Sequence, residues 1–194
     1  MMKIFSTTFA LALIVAGAFL SGQSPALAQE VASAKIILVD FNRVTGDSLV
    51  GQDVNAQIQQ QASRIQTFET NLVAKFDTEE DELKRLQTVI APDAWEERVR
   101  LWNQKKVNGQ RQSDALRKNL QQVGQQAQME IDRVLRPIVN NVMTARGATM
   151  VLDTRVVWRS AAGFDFTTEV VDGLNTDLAS YKLAFMDIPE VPAE

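Results

Sequence analysis

The chain has 194 residues, with 24 acidic and 20 basic side chains and neither His nor Cys. Disulfides and thiol chemistry are therefore excluded, and the commonest general base and metal ligand are missing. A formal charge of −4 gives no general affinity for nucleic acid. Paired carboxylates of the glycosidase type remain open in principle, but the acids here sit in solvated runs that would not raise a pKa. No catalytic residue, cofactor site or metal site is expected, and the phosphate-loop pattern GxxxxGK[ST] is absent.

The amino end reads as a secretory signal peptide over residues 1–28. Lys3 precedes a twelve-residue apolar run at 9–20, and Ala26-Leu27-Ala28 is a small-x-small cleavage pattern. Twelve apolar residues are too few to span a bilayer, which needs about 20. With no Cys after the run, a lipid-anchored form is excluded. Removing 1–28 leaves 19 basic and 24 acidic side chains, a net of −5.

Residues 29–34 read as a linker. Residues 35–41, rich in Ile and Val, predict a first strand, and 42–46 should break it. A helix then begins near Ser48, with apolar positions at Val54, Ile58, Ala62, Ile65, Phe68, Leu72, Phe76, Leu83, Leu86 and Ile90. Their spacing of three or four is that of an amphipathic helix. Pro92 should end it. Asp93 should start a second helix through a variant capping box with Glu96. That helix carries Trp95, Val99, Trp102, Leu116, Leu120, Val123, Ala127, Ile131, Val134, Ile138 and Val142, and lacks an apolar seam over 103–115. It would span about 54 residues, or ~80 Å. Pro137 should kink it and Gly147 should end it. Gly109 and Gly124 read either as tolerated weak points or as flexible joints.

Residues 148–153 predict a second strand and 156–158 a third, after a tight turn at Asp153-Thr154-Arg155. Thr167 should cap a last helix whose buried row is Val170, Val171, Leu174, Leu178 and Tyr181. Residues 183–194, acidic and proline-containing at their end, read as a disordered tail. The fold class is thus mainly α with a small β body. Residues 29–47 and 147–182 form the body, and 48–146 a long antiparallel helical hairpin with its tip near 90–93. Three short strands and one helix bury little apolar surface alone, which points to oligomerisation.

The layout resembles the Skp/OmpH family of periplasmic chaperones. The similarity runs from the strand Lys35-Ile36-Ile37-Leu38-Val39-Asp40 through the Gln-rich hairpin to the block Gly147-Ala148-Thr149-Met150-Val151-Leu152-Asp153, then Val156-Val157-Trp158 and Asp165-Phe166-Thr167. It implies a homotrimer built on the β body, with three arms around a cavity. That cavity would hold unfolded outer-membrane proteins without ATP, in the periplasm, with the outer-membrane assembly machinery as a further partner. The best-known members are strongly basic, so this chain's acidity speaks against lipopolysaccharide as a ligand.

Ile36, Leu38, Val151, Leu152, Val156 and Trp158 are the expected trimer core. The stretch 97–118 holds seven basic and two acidic residues. It either faces the acidic run 77–82, with residue 77 near 105 and 80 near 102, or offers a basic surface to clients. Trp95, Arg98, Arg100, Trp102, Lys105, Lys106, Val107 and Arg111 are the candidate client contacts, although the two Trp residues also suit packing against Leu83 and Leu86. The alternative function is a structural coiled-coil scaffold or adaptor of the cell envelope, and an enzyme is not expected.

Overall fold

The structure, a computed structural model, describes residues 34–190. The expected signal peptide, most of the linker and the last four residues lie outside that range.

Strand β1, Ile36–Val39, is short because Asp40 ends it by capping a helix. The Asp40 carboxylate accepts from the Arg43 backbone N–H at 3.0 Å and opens helix α1, Phe41–Asp47. The expected break at 42–46 is thus a seven-residue helix, pinned by Val44, which is fully buried. Ser48 next caps α2, Leu49–Leu86, accepting from the Gly51 N–H at 3.2 Å.

Helix α2 ends at Leu86, before the expected Ile90, and a turn over 87–91 reverses the chain. Helix α3, Pro92–Arg146, has 55 residues. Its start corrects the capping box expected at Asp93. Pro92 occupies the first turn, where its missing N–H is harmless, and Ala91 precedes it with no side-chain cap. The helix continues as one element through Pro137 and ends at Gly147, whose φ of 61° is a left-handed cap that suits glycine.

The two long helices pack antiparallel. Ile58 approaches Gly124, and Leu72 and Phe76 approach Gly109. Glu69 pairs with Arg117, and Glu79 with Lys105. The lapse expected over 103–115 is filled by small residues. Gly109 and Ser113 are buried there, and a Cβ on Gly109 would lie 2.9 Å from Leu72 Cδ2 and 3.1 Å from the Phe76 ring. Gly109 is therefore a close-approach position. The seam escapes an apolar count because one side of it carries no large side chain.

Strand β2, Met150–Asp153, lies parallel to β1, with Ile36 opposite Met150 and Leu38 opposite Leu152. The third strand expected at 156–158 does not form. Asp153 caps a 3₁₀ turn over Thr154–Val156, and its carboxylate accepts from the Arg155 N–H at 2.9 Å. The free edge of β1 is met instead at a single bridge, where Leu38 donates to Phe164 O at 2.7 Å and Phe166 donates to Leu38 O at 2.9 Å.

Helix α4, Thr167–Asp177, is capped by Asp165 and not by Thr167 itself. The Asp165 carboxylate accepts from both the N–H and the hydroxyl of Thr167, at 2.9 and 2.5 Å. That hydroxyl in turn accepts from the Asp40 N–H at 2.9 Å. Val170 and Leu174 are buried as expected. Leu178 and Tyr181 are not on the helix; they belong to an extended segment beyond its end.

That segment corrects the disordered tail. Residues 178–190 run back along α2 and α3 as a strap. Leu183 is 6% exposed within the main core, and Ile188 packs against Ile65, Phe68 and Leu116 higher on the arm. The main core gathers Ile37, Val39, Val44, Val50, Ile131, Ile138, Val170 and Leu174 where the arm meets the body.

Candidate functional site

Two surfaces carry the residues singled out in the sequence. The first is the sheet. Parallel strands place paired residues on one face. Ile37, Val39 and Val151 face the main core. Ile36, Leu38, Met150 and Leu152 share the opposite face, where Leu38 is buried and the other three keep part of their surface exposed. Parallel sheets are ordinarily buried on both sides. Of the six expected trimer-core residues, Leu38 is buried, Ile36 and Leu152 are partly exposed, and Val151 packs inward. Val156 and Trp158, on the loop where a strand was expected, are 73% and 101% exposed. Phe164 and Met150, which sequence reasoning did not single out, add to the exposed apolar surface.

The second surface is the arm near its tip. Trp95 is half-buried, and its indole N–H donates across the turn to Leu83 O at 3.1 Å. Trp102 lies two turns further on. Together with Glu79, Glu82, Leu83, Leu86, Arg98, Leu101 and Lys105 it lines a notch of about 450 Å³ between the helices. Its indole N–H is shielded from solvent and donates to no acceptor among the described residues. Lys106 stands 4.8 Å over the Trp102 ring, a cation–π distance. Of the cross-helix contacts expected of the two Trp residues, Trp95 makes a hydrogen bond to the Leu83 carbonyl, and Trp102 shares the lining of the notch with Leu83 and Leu86.

The remaining candidates fall on an outer stripe. Arg100, Val107 and Arg111 line a shallow hollow with Asn103, Gln104 and Asn108. Val107 is 50% exposed. The basic stretch is partly neutralised within its own helix, because Arg100 pairs with Glu97. That bond holds the Glu97 carboxyl below its usual range and raises Arg100 further. On the other helix Lys84 is raised, chiefly by its hydrogen bond to Glu80. Across the arm, Lys105 meets Glu79 at 3.1 Å, close to the expected pairing of 105 with 77. Arg117 grips Glu69 with two bonds of 2.8 and 2.7 Å. Acid and base thus meet across the arm at individual pairs, of which Glu79 alone comes from the acidic run 77–82.

A family model described as "Outer membrane protein (OmpH-like)" matches residues 35–174, which is the whole arm and most of the body. The chain belongs to the OmpH-like family. Among solved structures, a protein from Caulobacter crescentus CB15 described as a putative OmpH-like outer membrane chaperone superposes with a TM-score of 0.74 at 21% identity, covering 96% of this chain and 98% of that one. At that identity the likeness establishes the fold: long paired helices on a small two-stranded sheet. No curated protein matches the chain.

Proposed function

We propose that this chain is an ATP-independent holdase chaperone of the periplasm, exported by the segment 1–28 and assembled as a homotrimer. Three arms would enclose a space in which unfolded outer-membrane proteins are held on their way to the membrane. Membership of the OmpH-like family supports a chaperone role. The observation that carries the trimer is the partly exposed apolar surface of the sheet at Ile36, Met150 and Leu152, together with the fully exposed Trp158 on the loop that follows β2. A second and third copy would supply what covers it.

Capture would be multivalent. Each arm offers modest contacts: the notch around Trp102, the outer stripe of Arg100, Val107 and Arg111, and a largely polar surface that does not aggregate. Many weak contacts in one enclosure add through effective concentration. Release would come when the client reaches a more stable state in the membrane. Neither catalysis nor nucleotide hydrolysis enters this cycle. The outer-membrane assembly machinery is the expected recipient, and the net acidity gives no support for lipopolysaccharide as a ligand.

The rival reading is an envelope scaffold. Diluting a urea-denatured porin into buffer with a few-fold excess of trimer separates the two. Suppressed aggregation supports the holdase. Undiminished aggregation, with a trimer present by light scattering, favours the scaffold.

A further inference from the structure

The strap makes specific use of the Gln-rich character of the arm. Its backbone is held by side chains of the two long helices. The Tyr181 N–H donates to the Asp53 carboxylate at 3.1 Å, and Gln57 donates to Tyr181 O at 3.0 Å. The Leu183 N–H donates to Gln57 Oε1 at 3.0 Å. Gln61 donates to Met186 O at 3.4 Å, and the Met186 N–H donates to Asn119 Oδ1 at 2.8 Å. Gln61 is only 5% exposed, an unusual place for a glutamine, and the bond to the strap accounts for it.

The geometry is commensurate over the first step. Asp53, Gln57 and Gln61 lie four apart, so each step along α2 rises about 6 Å. Two residues of extended chain advance about 6.6 Å. The side chains at 53 and 57 therefore follow the extended backbone from Tyr181 to Leu183, and the next bonded residue, three further on at Met186, is held by Gln61 from α2 and Asn119 from α3. Such bonds read backbone, not sequence. Selectivity comes from alternation: Tyr181, Leu183 and Phe185 turn toward the arm, while Lys182, Ala184 and Met186 are exposed.

We propose that the face of the arm beneath the strap is a binding site for an extended segment of another chain with apolar residues at alternate positions, and that residues 178–190 are its resident, displaceable occupant. This rests on the chaperone reading for the identity of the other chain, since strands of a membrane barrel alternate in this way. It does not rest on that reading for the site itself. While the strap is in place, the apparent affinity for an incoming segment is reduced by the fraction of time the site is open.

The probe is a fluorescein-labelled peptide of residues 178–190, with a scrambled peptide as control. Both are titrated against the full-length chain and its Leu183→Asp variant. Removing the buried anchor frees the site, so the peptide should bind the variant at least about tenfold tighter than the unmodified chain, and the scrambled peptide should bind neither. Equal binding to both forms, or none to a variant with native helicity, overturns the proposal. If Leu183→Asp unfolds, hydrogen exchange on the unmodified chain decides. Excess peptide must speed exchange at the 181, 183 and 186 amides without speeding it in α2, and unchanged exchange overturns the proposal. Should the peptide behave as stated while porin aggregates freely with either form, the binding site stands and the holdase reading falls.

Discussion

Thr167 joins three parts of the body through one hydroxyl. It is 1% exposed, accepts from the Asp40 N–H at the end of β1 and donates to the Asp165 carboxylate before α4. Thr167→Val keeps the shape and removes both bonds. A hydrogen bond to a charged group contributes about 1.5–3 kcal/mol, and an orphaned buried N–H costs about 1–3 kcal/mol. Asp165 lies at the surface, so water replaces part of its loss. The expected total is about 2 kcal/mol, or roughly 4–8 °C in Tm for a chain of this size. Urea unfolding monitored by circular dichroism, at fixed protein concentration, measures it. The effect should also depend on pH. The Thr167 side chain, first among the causes, and then its backbone N–H hold the Asp165 carboxyl below its usual value. Stability from a depressed carboxylate is complete above the unfolded value near 3.9 and is lost as pH falls through the folded one. The difference between wild type and variant should therefore shrink between pH 7 and pH 3. A loss under about 0.5 kcal/mol at pH 7, or one that does not change with pH, would refute this account of the network.

Gly109→Val should destabilise by about 1–3 kcal/mol, because its branches meet Leu72 and Phe76. Gly124→Ala should instead gain up to about 1 kcal/mol, since its nearest neighbour is Ile58 Cδ1 at an ordinary 3.5 Å. Parallel thermal melts of the two distinguish close approach from flexible joints. Arg117→Ala, which removes the pair between this exposed guanidinium and the partly buried Glu69, should lower the melting temperature only slightly, and this small loss should diminish further in high salt. Leu152→Asp places a charge on the partly exposed sheet face and should dissociate the proposed trimer while leaving helicity intact. An unchanged mass by light scattering would reject that face as the interface.

The arm was legible because its signals are redundant. Apolar spacing, Pro92 and Gly147 all mark the same two helices. The helix α1 was hidden because Asn42, Thr45 and Gly46 look like turn residues, and only Asp40 as a cap reveals otherwise. The expected third strand rested on Val156, Val157 and Trp158, whose β-propensity yields to the turn that Asp153 closes on Arg155. The strap was misread from its prolines and acids. Its alternation at Tyr181, Leu183 and Phe185 was the available signal, but nothing in the sequence locates Gln57, Gln61 and Asn119 beside it. The notch at Trp102 was equally out of reach, since it depends on the register of two helices.

The pairing of β1 with β2 joins residues 114 apart, as Lys35 and Thr149 also do through their hydrogen bond. Both roots of the arm are thus fixed in the same two strands. Its length is then independent of the body, provided that equal numbers of whole turns are added to or removed from both helices distal to the strap. Matched seven-residue deletions from α2 and α3 would shorten the arm by about 10 Å and leave the sheet unaltered. In this architecture, reach is a dimension that can vary while the foundation stays constant.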